Sequence, residues 1–493
     1  MKRILILFSI GFGLGVYGQN IHFLKTYGNS GYDYGRDIKQ TLDTGYIATG
    51  SSSSFSTGTA DAFLLKVDSL GNFKWSHSYG GLGSEWGEKV ILANDSSFAL
   101  AGYTNSFGEG GFDFYLVRTN IDGSPRWEKT YGGSDWDRAY SLVQLPDSGF
   151  VIVGETYSYG SGNLDAYIVR TDSLGDTLWT KTWGGAEDDF FKGVYLDGDS
   201  LVFVGGTESF GAGMKDGVIL KTDLDFNIGW EKIIGKSQND YFTSIKKFNN
   251  DYYLSGTRAY NYDIARQDFW MFKISDDGLL VDADTTYASI AENDEIAHDI
   301  AIEPFGNIYY CGATKSFGYP LIDGEFDAFD GKFLTNYYSA ESLGNFGEEG
   351  RDELYGIDTC FDLGHVCVGD LYYASTGGYN VVITKFERFF TYPDDIADFD
   401  IFDPTIINDI TLSLDPISVK ESIHLFPNPS SGELYIQGNE NVDKIEIYDL
   451  NGQLILNQLN PNSFIDISFL AKQTYIITLY TNESVYQEKL ILI

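Results

Sequence analysis

Two kinds of side chain recur along the chain at positions where they could bind a ligand. Acidic residues that follow a Gly-Gly-x-x-x pattern or its equivalent are Asp33, Glu85, Asp137, Asp189, Asp240, Asp294 and Asp352. Aromatic residues of a Ser-Phe-Gly-x-Gly pattern or its equivalent are Phe55, Phe107, Tyr159, Phe210, Tyr260 and Phe317. Carboxylates suit hard cations such as calcium, and aromatic faces suit pyranose rings. The two series therefore predict a surface that could bind calcium or a sugar.

The same regularity is equally compatible with a structural role. A short acidic side chain can cap the amides of a turn, and an aromatic ring can wedge between neighbouring repeats. A binding site usually breaks symmetry, whereas these residues return in every repeat. The repetition therefore favours the structural interpretation, and no metal ligand is assigned from it.

The sequence contains no recognisable catalytic constellation. The five histidines are scattered without metal-ligand or triad spacing, and the glycine-rich loops lack the Lys-Ser/Thr ending of a phosphate loop. Paired carboxylates could hydrolyse glycosides, but 71 acidic residues make sequence proximity uninformative. We therefore predict no catalytic residue and no cofactor, with calcium as the open exception.

The charge of the chain excludes two classes of partner. A formal charge of −38 would repel nucleic acid and disfavour anionic lipid surfaces. The 56 glycines and the 35 residues each of Tyr and Phe suit short strands joined by tight turns rather than helices. After the N-terminal segment, no stretch approaches the roughly 20 apolar residues of a membrane helix. The composition thus indicates an all-β protein.

A repeat of about 50 residues positions the recurring side chains. The segment around Trp75 returns at Trp127, Trp179 and Trp230, with spacings of 52, 52 and 51 residues. One period holds four strand-like runs separated by turn signals, which is the pattern of a propeller blade. Seven positions equivalent to a Tyr-Gly pair can be counted: Tyr27, Tyr79, Tyr131, Trp183, Ile234, Tyr287 and Phe346. We therefore predict a seven-bladed β-propeller over residues 19–390.

The two ends of the repeat array predict how the ring closes. The segment 21–28 matches the outer strand of a blade, yet it precedes the first complete blade. The last blade lacks that strand, so the N-terminal strand should complete it and remove an open edge. The consensus resembles bacterial repeat propellers that read Asp-x-x-Gly-x-x-x-Trp-x-Lys-x-Tyr-Gly-Gly. Blades five to seven depart most, with Asp282 in place of Trp and an insertion at residues 319–325.

The N-terminus and the region after the repeats have other roles. Lys2, Arg3 and the apolar run 4–16 predict a signal peptide at residues 1–18. Residues 391–422 are predicted to form an acidic linker. Among the cysteines, Cys360 and Cys367 flank a predicted turn, where either a disulfide or two buried thiols is expected, and Cys311 is predicted to be a buried thiol.

The C-terminal residues 423–493 contain alternating strands that predict a small Ig-like β-sandwich. Their motif residues are Pro427, Asn428, Pro429, Gly432, Tyr448, Asp449, Gly452 and Lys489. This segment resembles the type A C-terminal sorting domain of the type IX secretion system, although Gln473 stands where that family usually has Gly. The resemblance implies export through the secretion machinery and a secreted or outer-surface location, usually with removal of this domain and release or attachment to surface lipopolysaccharide. The alternative is an adhesive Ig-like module.

Three functional hypotheses follow for the propeller. The first is a non-catalytic binding or scaffold module for a glycan or protein ligand outside the cell. The alternative is a secreted polysaccharide-active hydrolase or lyase, with acids on the rim or in the central channel. An enzyme should show residues unlike their blade equivalents, and Arg258, Arg266, Glu325 and Arg351 break the pattern in this way. A purely structural component of a surface layer is the third.

Overall fold

The computed structural model describes most of the repeat array and parts of the C-terminal segment. The described residues are 21–29, 31–54, 56, 58–236, 238–261, 264–279, 294–315, 327–334, 339–346, 351–373, 378–386, 424–426, 433–437, 442–448, 454–459, 461, 464–472, 474–481 and 485–491. The predicted signal peptide and acidic linker lie outside these ranges. Among the described residues, no helix could cross a membrane.

Four antiparallel sheets of four strands follow one another along the first half of the chain. After β1 (Ile21–Tyr27), the first sheet comprises β2 (Asp33–Gln40), β3 (Tyr46–Ser52), β4 (Asp61–Val67) and β5 (Phe73–Tyr79). The second comprises β6 (Glu85–Leu92), β7 (Phe98–Thr104), β8 (Asp113–Thr119) and β9 (Pro125–Tyr131). The third comprises β10 (Asp137–Gln144), β11 (Phe150–Thr156), β12 (Asp165–Thr171) and β13 (Thr177–Trp183). The fourth comprises β14 (Asp189–Asp197), β15 (Ser200–Thr207), β16 (Asp216–Asp223) and β17 (Ile228–Ile234).

Three further sheets bring the described blades to seven. The fifth contains β18 (Asp240–Phe248), β19 (Asp251–Asn261) and β20 (Ile264–Ser275), and its predicted outer strand near residue 287 falls outside the described residues. The sixth comprises β21 (Glu295–Ile302), β22 (Ile308–Thr314), β23 (Asp327–Leu334) and β24 (Ser339–Phe346). The seventh comprises β25 (Glu353–Thr359), β26 (His365–Tyr373), β27 (Gly378–Phe386) and β1.

The ring closes through the N-terminal strand. Strand β1 pairs antiparallel with β27, so that Tyr27 opposes Val381. The first strands of consecutive blades contact one another, and β2 contacts β25 to complete the circle around the central channel. The protein is therefore a β-propeller, and the strand that the sequence assigns to the seventh blade is the one that joins it.

The hydrophobic core consists of separate clusters between neighbouring blades. One cluster combines Leu64 of the first blade with Leu100 and Val117 of the second, and corresponding clusters lie at the other junctions. Each blade thus buries both of its faces. This explains why its second and third strands consist almost wholly of buried residues.

A repeated contact joins the outer strand of one blade to a turn of the next. The Tyr79 hydroxyl donates a hydrogen bond of 2.5 Å to the carbonyl of Gly123. Tyr131 makes the same bond to Gly175 at 2.7 Å, and Tyr27 makes it to Gly71 at 2.6 Å. Positive φ angles of 71° to 82° place these three turn glycines in the left-handed region that glycine tolerates best. The consensus Tyr and turn Gly therefore have a structural function.

All three cysteines are buried and none forms a disulfide. Cys360 opposes Gly364 across the turn, whereas Cys367 opposes Ile357 in the strand pair. The two side chains pack in different clusters, one toward the first blade and one toward the sixth. The sequence was compatible with either a disulfide or two buried thiols for this pair, and the structure shows two buried thiols.

The C-terminal unit contains two antiparallel sheets. One has β28 (His424–Phe426), β29 (Glu433–Gln437) and β32 (Phe464–Asp466). The other has β30 (Val442–Tyr448), β31 (Leu454–Leu459), β33 (Thr474–Thr481) and β34 (Val485–Ile491). Leu434 and Ile465 of the first sheet share one core with Ile445 and Ile477 of the second, which makes the unit a small β-sandwich.

Candidate functional site: the central channel

The acidic series of the rim is engaged in holding loops. Asp137 is fully buried and its Oδ2 accepts hydrogen bonds from the Gly133 amide at 2.7 Å and the Ser158 hydroxyl at 2.8 Å. Its Oδ1 accepts the hydroxyl of Thr156. Asp33, Glu85, Asp189 and Asp240 likewise accept the amide of the residue four positions earlier. These buried carboxylates fix the connection between blades.

One member of the predicted series occupies a different position. The strand register places Glu295 opposite Thr314, as Asp137 is opposite Thr156, so Asp294 lies one residue earlier. Asp294 binds the Lys315 ammonium at 2.9 Å. In the seventh blade Asp352 precedes the bulge residue Tyr355 by three positions, as Asp137 precedes Tyr140, so Asp352 holds the equivalent register, and it accepts the amide of Tyr372 at 2.6 Å.

The aromatic series is partly exposed at the rim where it is described. Phe107, Tyr159 and Phe210 expose 45%, 45% and 42% of their surface. Tyr159 donates its hydroxyl to the Gly132 carbonyl at 2.7 Å, and Phe210 packs against Trp183 with ring centres 5.6 Å apart. Phe55 and Phe317 lie outside the described residues, and only the backbone of Tyr260 is described.

A second acidic series lies beside the first at each junction. Asp113 accepts the Glu109 amide at 3.1 Å, and burial raises its pKa to about 6, with Asp137 adding to the effect. Gly132 separates the two carboxylates, because a Cβ there would lie 2.1 Å from Asp113 Oδ1 and 2.5 Å from Asp137 Oδ2. Within the described part of the chain, no group of three or more His, Cys, Asp or Glu residues is arranged to hold a metal ion.

The channel departs from this symmetry at one position in every blade. Each first strand contains a β-bulge, where one residue has no partner on the neighbouring strand. A bulge re-aims its side chain. The seven bulge residues are Arg36, Glu88, Tyr140, Lys192, Thr243, His298 and Tyr355, and all of them line one cavity of about 390 Å³. Equivalent positions thus present a guanidinium, a carboxylate, an ammonium, an imidazole, a hydroxyl and two phenols to the same space.

Arg36 lies at the centre of an aromatic cluster. Its guanidinium is 3.8 Å from the ring centre of Tyr355 and 5.3 Å from that of Trp86. The nearest carboxylate oxygen, Oδ1 of Asp370, is 3.8 Å from Nη1, beyond hydrogen-bond distance. Nη1 is buried and has no hydrogen-bond partner. The cation is therefore stabilised mainly by ring faces.

Two neighbouring carboxyls of the seventh blade differ in their protonation. His298 Nε2 lies 2.8 Å from Glu353 Oε2, and Arg351 forms an ion pair with the same carboxylate. Burial would raise the pKa of Glu353, but these two partners hold it at about 2. Burial raises the pKa of Asp370, its cross-strand neighbour, to about 7 despite the charge of Arg36. One carboxyl is thus ionised and the other is half-protonated near neutral pH.

A second cationic group lies on the opposite side of the cavity. The Lys192 ammonium is 3.0 Å from the ring centre of Tyr140, and burial lowers its pKa despite the charges of Glu155 and Glu88. Arg138 stacks 4.6 Å from the ring centre of Trp136, which exposes 45% of its surface. Lys192 thus faces the ring of Tyr140 as Arg36 faces the ring of Tyr355.

An ion-pair network crosses the channel beneath these residues. Lys89 bridges Asp37 at 3.0 Å and Asp299 at 3.4 Å, which links the second blade to the first and sixth. Lys246 of the fifth blade lies 3.5 Å from the same Asp299. Burial would raise the pKa of Asp299, but the charges of Lys246, Lys89 and Lys39 hold it well below its usual range. The bulge residues therefore line a cavity with a charged floor.

Sequence reasoning missed these channel residues because it searched for what repeats. Positions 36, 88, 140 and 192 keep the period of 52 residues, yet each carries a different residue type. A search for chemical variation at constant spacing would have found them. Of the residues that break the pattern in blades five to seven, Arg351 contacts the channel carboxylate Glu353, and Arg258 lies 3.8 Å from Asp240. Glu325 and the side chain of Arg266 lie outside the described part.

Comparison with known proteins identifies the C-terminal unit. Residues 424–493 match the family model described as a secretion system C-terminal sorting domain. The protein is therefore a β-propeller protein that carries a type IX secretion sorting domain, which implies interaction with that machinery and export to the cell surface or the medium. Tyr448 ends β30 and Lys489 lies in β34, whereas Pro427, Asn428, Pro429, Gly432, Asp449 and Gly452 lie outside the described residues.

The chain is also similar, at low sequence identity or over part of its length, to several known proteins. The regulatory protein FlaEY of Caulobacter vibrioides is 30% identical over 178 residues, which are 31% of this chain and only 18% of that protein. The WD40 propeller domain of Doa1 is 10% identical with a TM-score of 0.44, covering 76% of this chain and 98% of that one. PorZ, a surface component of the type IX secretion system of Porphyromonas gingivalis, is 12% identical with a TM-score of 0.33, covering 92% and 69%.

Proposed function

We propose that the exported propeller is a non-catalytic binding module that holds a carbohydrate ligand in its central channel. The observation that carries this proposal is the ring of seven bulge residues, which differ chemically while the surrounding blade contacts repeat. A fold needs identical contacts at identical junctions, but it does not need six different kinds of polar group at seven equivalent positions around one cavity. Such convergence of polar groups in one concave site is typical of ligand recognition.

The composition of the channel favours a sugar over an apolar ligand. Tyr140, Tyr241 and Tyr355 line the cavity and offer ring faces of the kind on which pyranose rings stack. Glu88 and His298 beside them offer polar atoms that could bind hydroxyl groups. We propose that binding needs no cofactor. The alternative role for calcium belongs to the rim, where addition of a chelator to the protein would lower the unfolding temperature.

A catalytic role is the second candidate, and a single observation favours it. Glu353 and Asp370 are cross-strand neighbours whose pKa values lie far apart, at about 2 and about 7. Carboxyls separated in this way can divide the roles of base and acid in a hydrolase or lyase. Turnover of a bound glycan, abolished by Asp370→Asn without loss of binding, would establish this alternative.

The test of the proposed function is direct binding to the purified full chain. Soluble oligosaccharides from several polysaccharides are titrated by calorimetry, and the products are examined for cleavage. We expect saturable binding of at least one oligosaccharide, weakened by Tyr241→Ala in the channel and unaffected by Phe107→Ala at the rim. Binding that is lost in the rim variant and retained in the channel variant would refute the channel as the site.

A further inference from the structure

We infer that the sugar recognised in the channel carries an anionic group, a carboxylate or a sulfate ester, which binds between Arg36 and Lys192. This inference rests on the proposed function and specifies its ligand. Both side chains line the same cavity, and both belong to the bulge positions that vary between blades.

The first argument is that neither cation has a close counter-ion. Among the described residues, no carboxylate lies within ion-pair distance of Lys192, whose ammonium contacts the ring of Tyr140. Arg36 faces Asp370 at 3.8 Å and leaves Nη1 without a hydrogen-bond partner. Desolvated cations are costly unless they are paired. A ligand anion would supply the missing partner and the missing hydrogen bond.

The second argument is the contrast with other cations of the protein. Lys89, Lys247 and Arg118 each have a carboxylate oxygen within 3.0 Å. Lys89 lies only one residue beyond the bulge residue Glu88 and lines the same cavity, so close pairing is available to a cation there. Arg258, at 3.8 Å from Asp240, forms as long an ion pair as Arg36, but Arg36 and Lys192 both line this cavity, where a ligand could reach them.

The third argument concerns the field of the whole molecule. A chain with a formal charge of −38 repels anions from its surface at long range. At physiological ionic strength this repulsion decays over about 8 Å, so cations inside the cavity can still dominate close contact. Glu88 lies in the same cavity and opposes an anionic ligand. Selectivity should therefore depend on the balance among Arg36, Lys192 and Glu88.

The experiment uses matched pairs of oligosaccharides on the purified full chain. Each uronate oligosaccharide is titrated beside its carboxyl-reduced form, and sulfated oligosaccharides are titrated beside desulfated ones. We expect the acidic member of one pair to bind at least tenfold more tightly, with an affinity that falls as salt is added. The pair that shows the difference identifies the anionic group as carboxylate or sulfate.

Charge variants of the channel provide the control. Lys192→Gln should lower the affinity ratio of the acidic to the neutral form about tenfold, and Glu88→Gln should raise that ratio. Lys181→Gln, on an exposed outer strand, should leave it unchanged. Equal binding of acidic and neutral members would overturn this inference and leave the proposed function standing. Absence of binding by every oligosaccharide would count against both.

Discussion

The junctions between blades and the bulges of the channel follow opposite rules. At the junctions the same contacts recur, as in the bonds from Tyr79 to Gly123 and from Tyr131 to Gly175. At the bulges the backbone recurs but the side chain changes, from Arg36 to Glu88. Repetition preserves packing because each blade must fit its neighbour. Variation at a geometrically constant position has no such structural cause, and it therefore marks the candidate binding site.

The largest effect is expected at a junction core. Phe150 is fully buried and packs against Trp127, with ring centres 6.1 Å apart. Phe150→Ala should lower the free energy of unfolding by about 3–5 kcal/mol, since it leaves a cavity. Lys192→Gln removes a desolvated cation that has no carboxylate partner, so it should not lower this free energy comparably. Chemical denaturation of both variants measures the difference, and similar losses would remove the distinction between junction and channel.

Removal of a junction carboxylate should have an intermediate effect. Asp137→Ala leaves the Gly133 amide and the Thr156 hydroxyl without their acceptor, which should cost about 1–3 kcal/mol. Asp199→Ala changes an exposed carboxylate in a turn and serves as the matched control. If Asp137 instead bound calcium, its substitution would abolish stabilisation by added calcium, and that result would contradict the account.

A smaller effect is expected from the titration of a junction acid. The pKa of Asp113 is raised to about 6 by burial, so the folded state binds its proton more tightly than the unfolded state. Protonation of Asp113 therefore stabilises the folded state. This stabilisation is fully present below the ordinary pKa of an aspartate, and it is lost as the pH rises through about 6. Unfolding free energies measured from pH 5 to pH 8 should therefore decline less in Asp113→Asn than in the native protein. An equal decline in both would show that Asp113 does not titrate there.

The smallest effect concerns the pH dependence of ligand affinity. Asp370 gains its negative charge as the pH rises through about 7, close to Arg36, Glu353 and Arg351. That charge competes with an anionic ligand for Arg36. Affinity for an acidic oligosaccharide should therefore be a few-fold higher at pH 6 than at pH 8, and Asp370→Asn should flatten the profile. A profile unchanged by the substitution would exclude Asp370 as the titrating group.

The fold could be predicted from the sequence because its determinants repeat. The regular spacing of Trp75, Trp127 and Trp179 predicts the length of one blade. The unmatched segment at residues 21–28 predicts the strand that closes the ring. The channel could not be predicted in the same way. A bulge shifts the register by one residue, so the side chain at position 36 cannot be assigned to the channel from strand alternation alone.

Irregular spacing between repeats limited the prediction of which acidic residues lie at the rim. Counting along the repeat selects Asp294, but the strand register places Glu295 at the equivalent position, whereas Asp352 is placed as predicted. Asp294 follows a segment in which the repeat length changes. A count along the sequence cannot locate such a change, whereas hydrogen-bonded register defines it residue by residue.

The most direct test of the account is a crystal structure of the protein with a bound acidic oligosaccharide. The account predicts electron density in the channel, with the anionic group between Arg36 and Lys192 and a sugar ring against an aromatic face. Density confined to the rim, against Phe107, Tyr159 or Phe210, would contradict it. In that case the variation among the bulge residues would require another explanation.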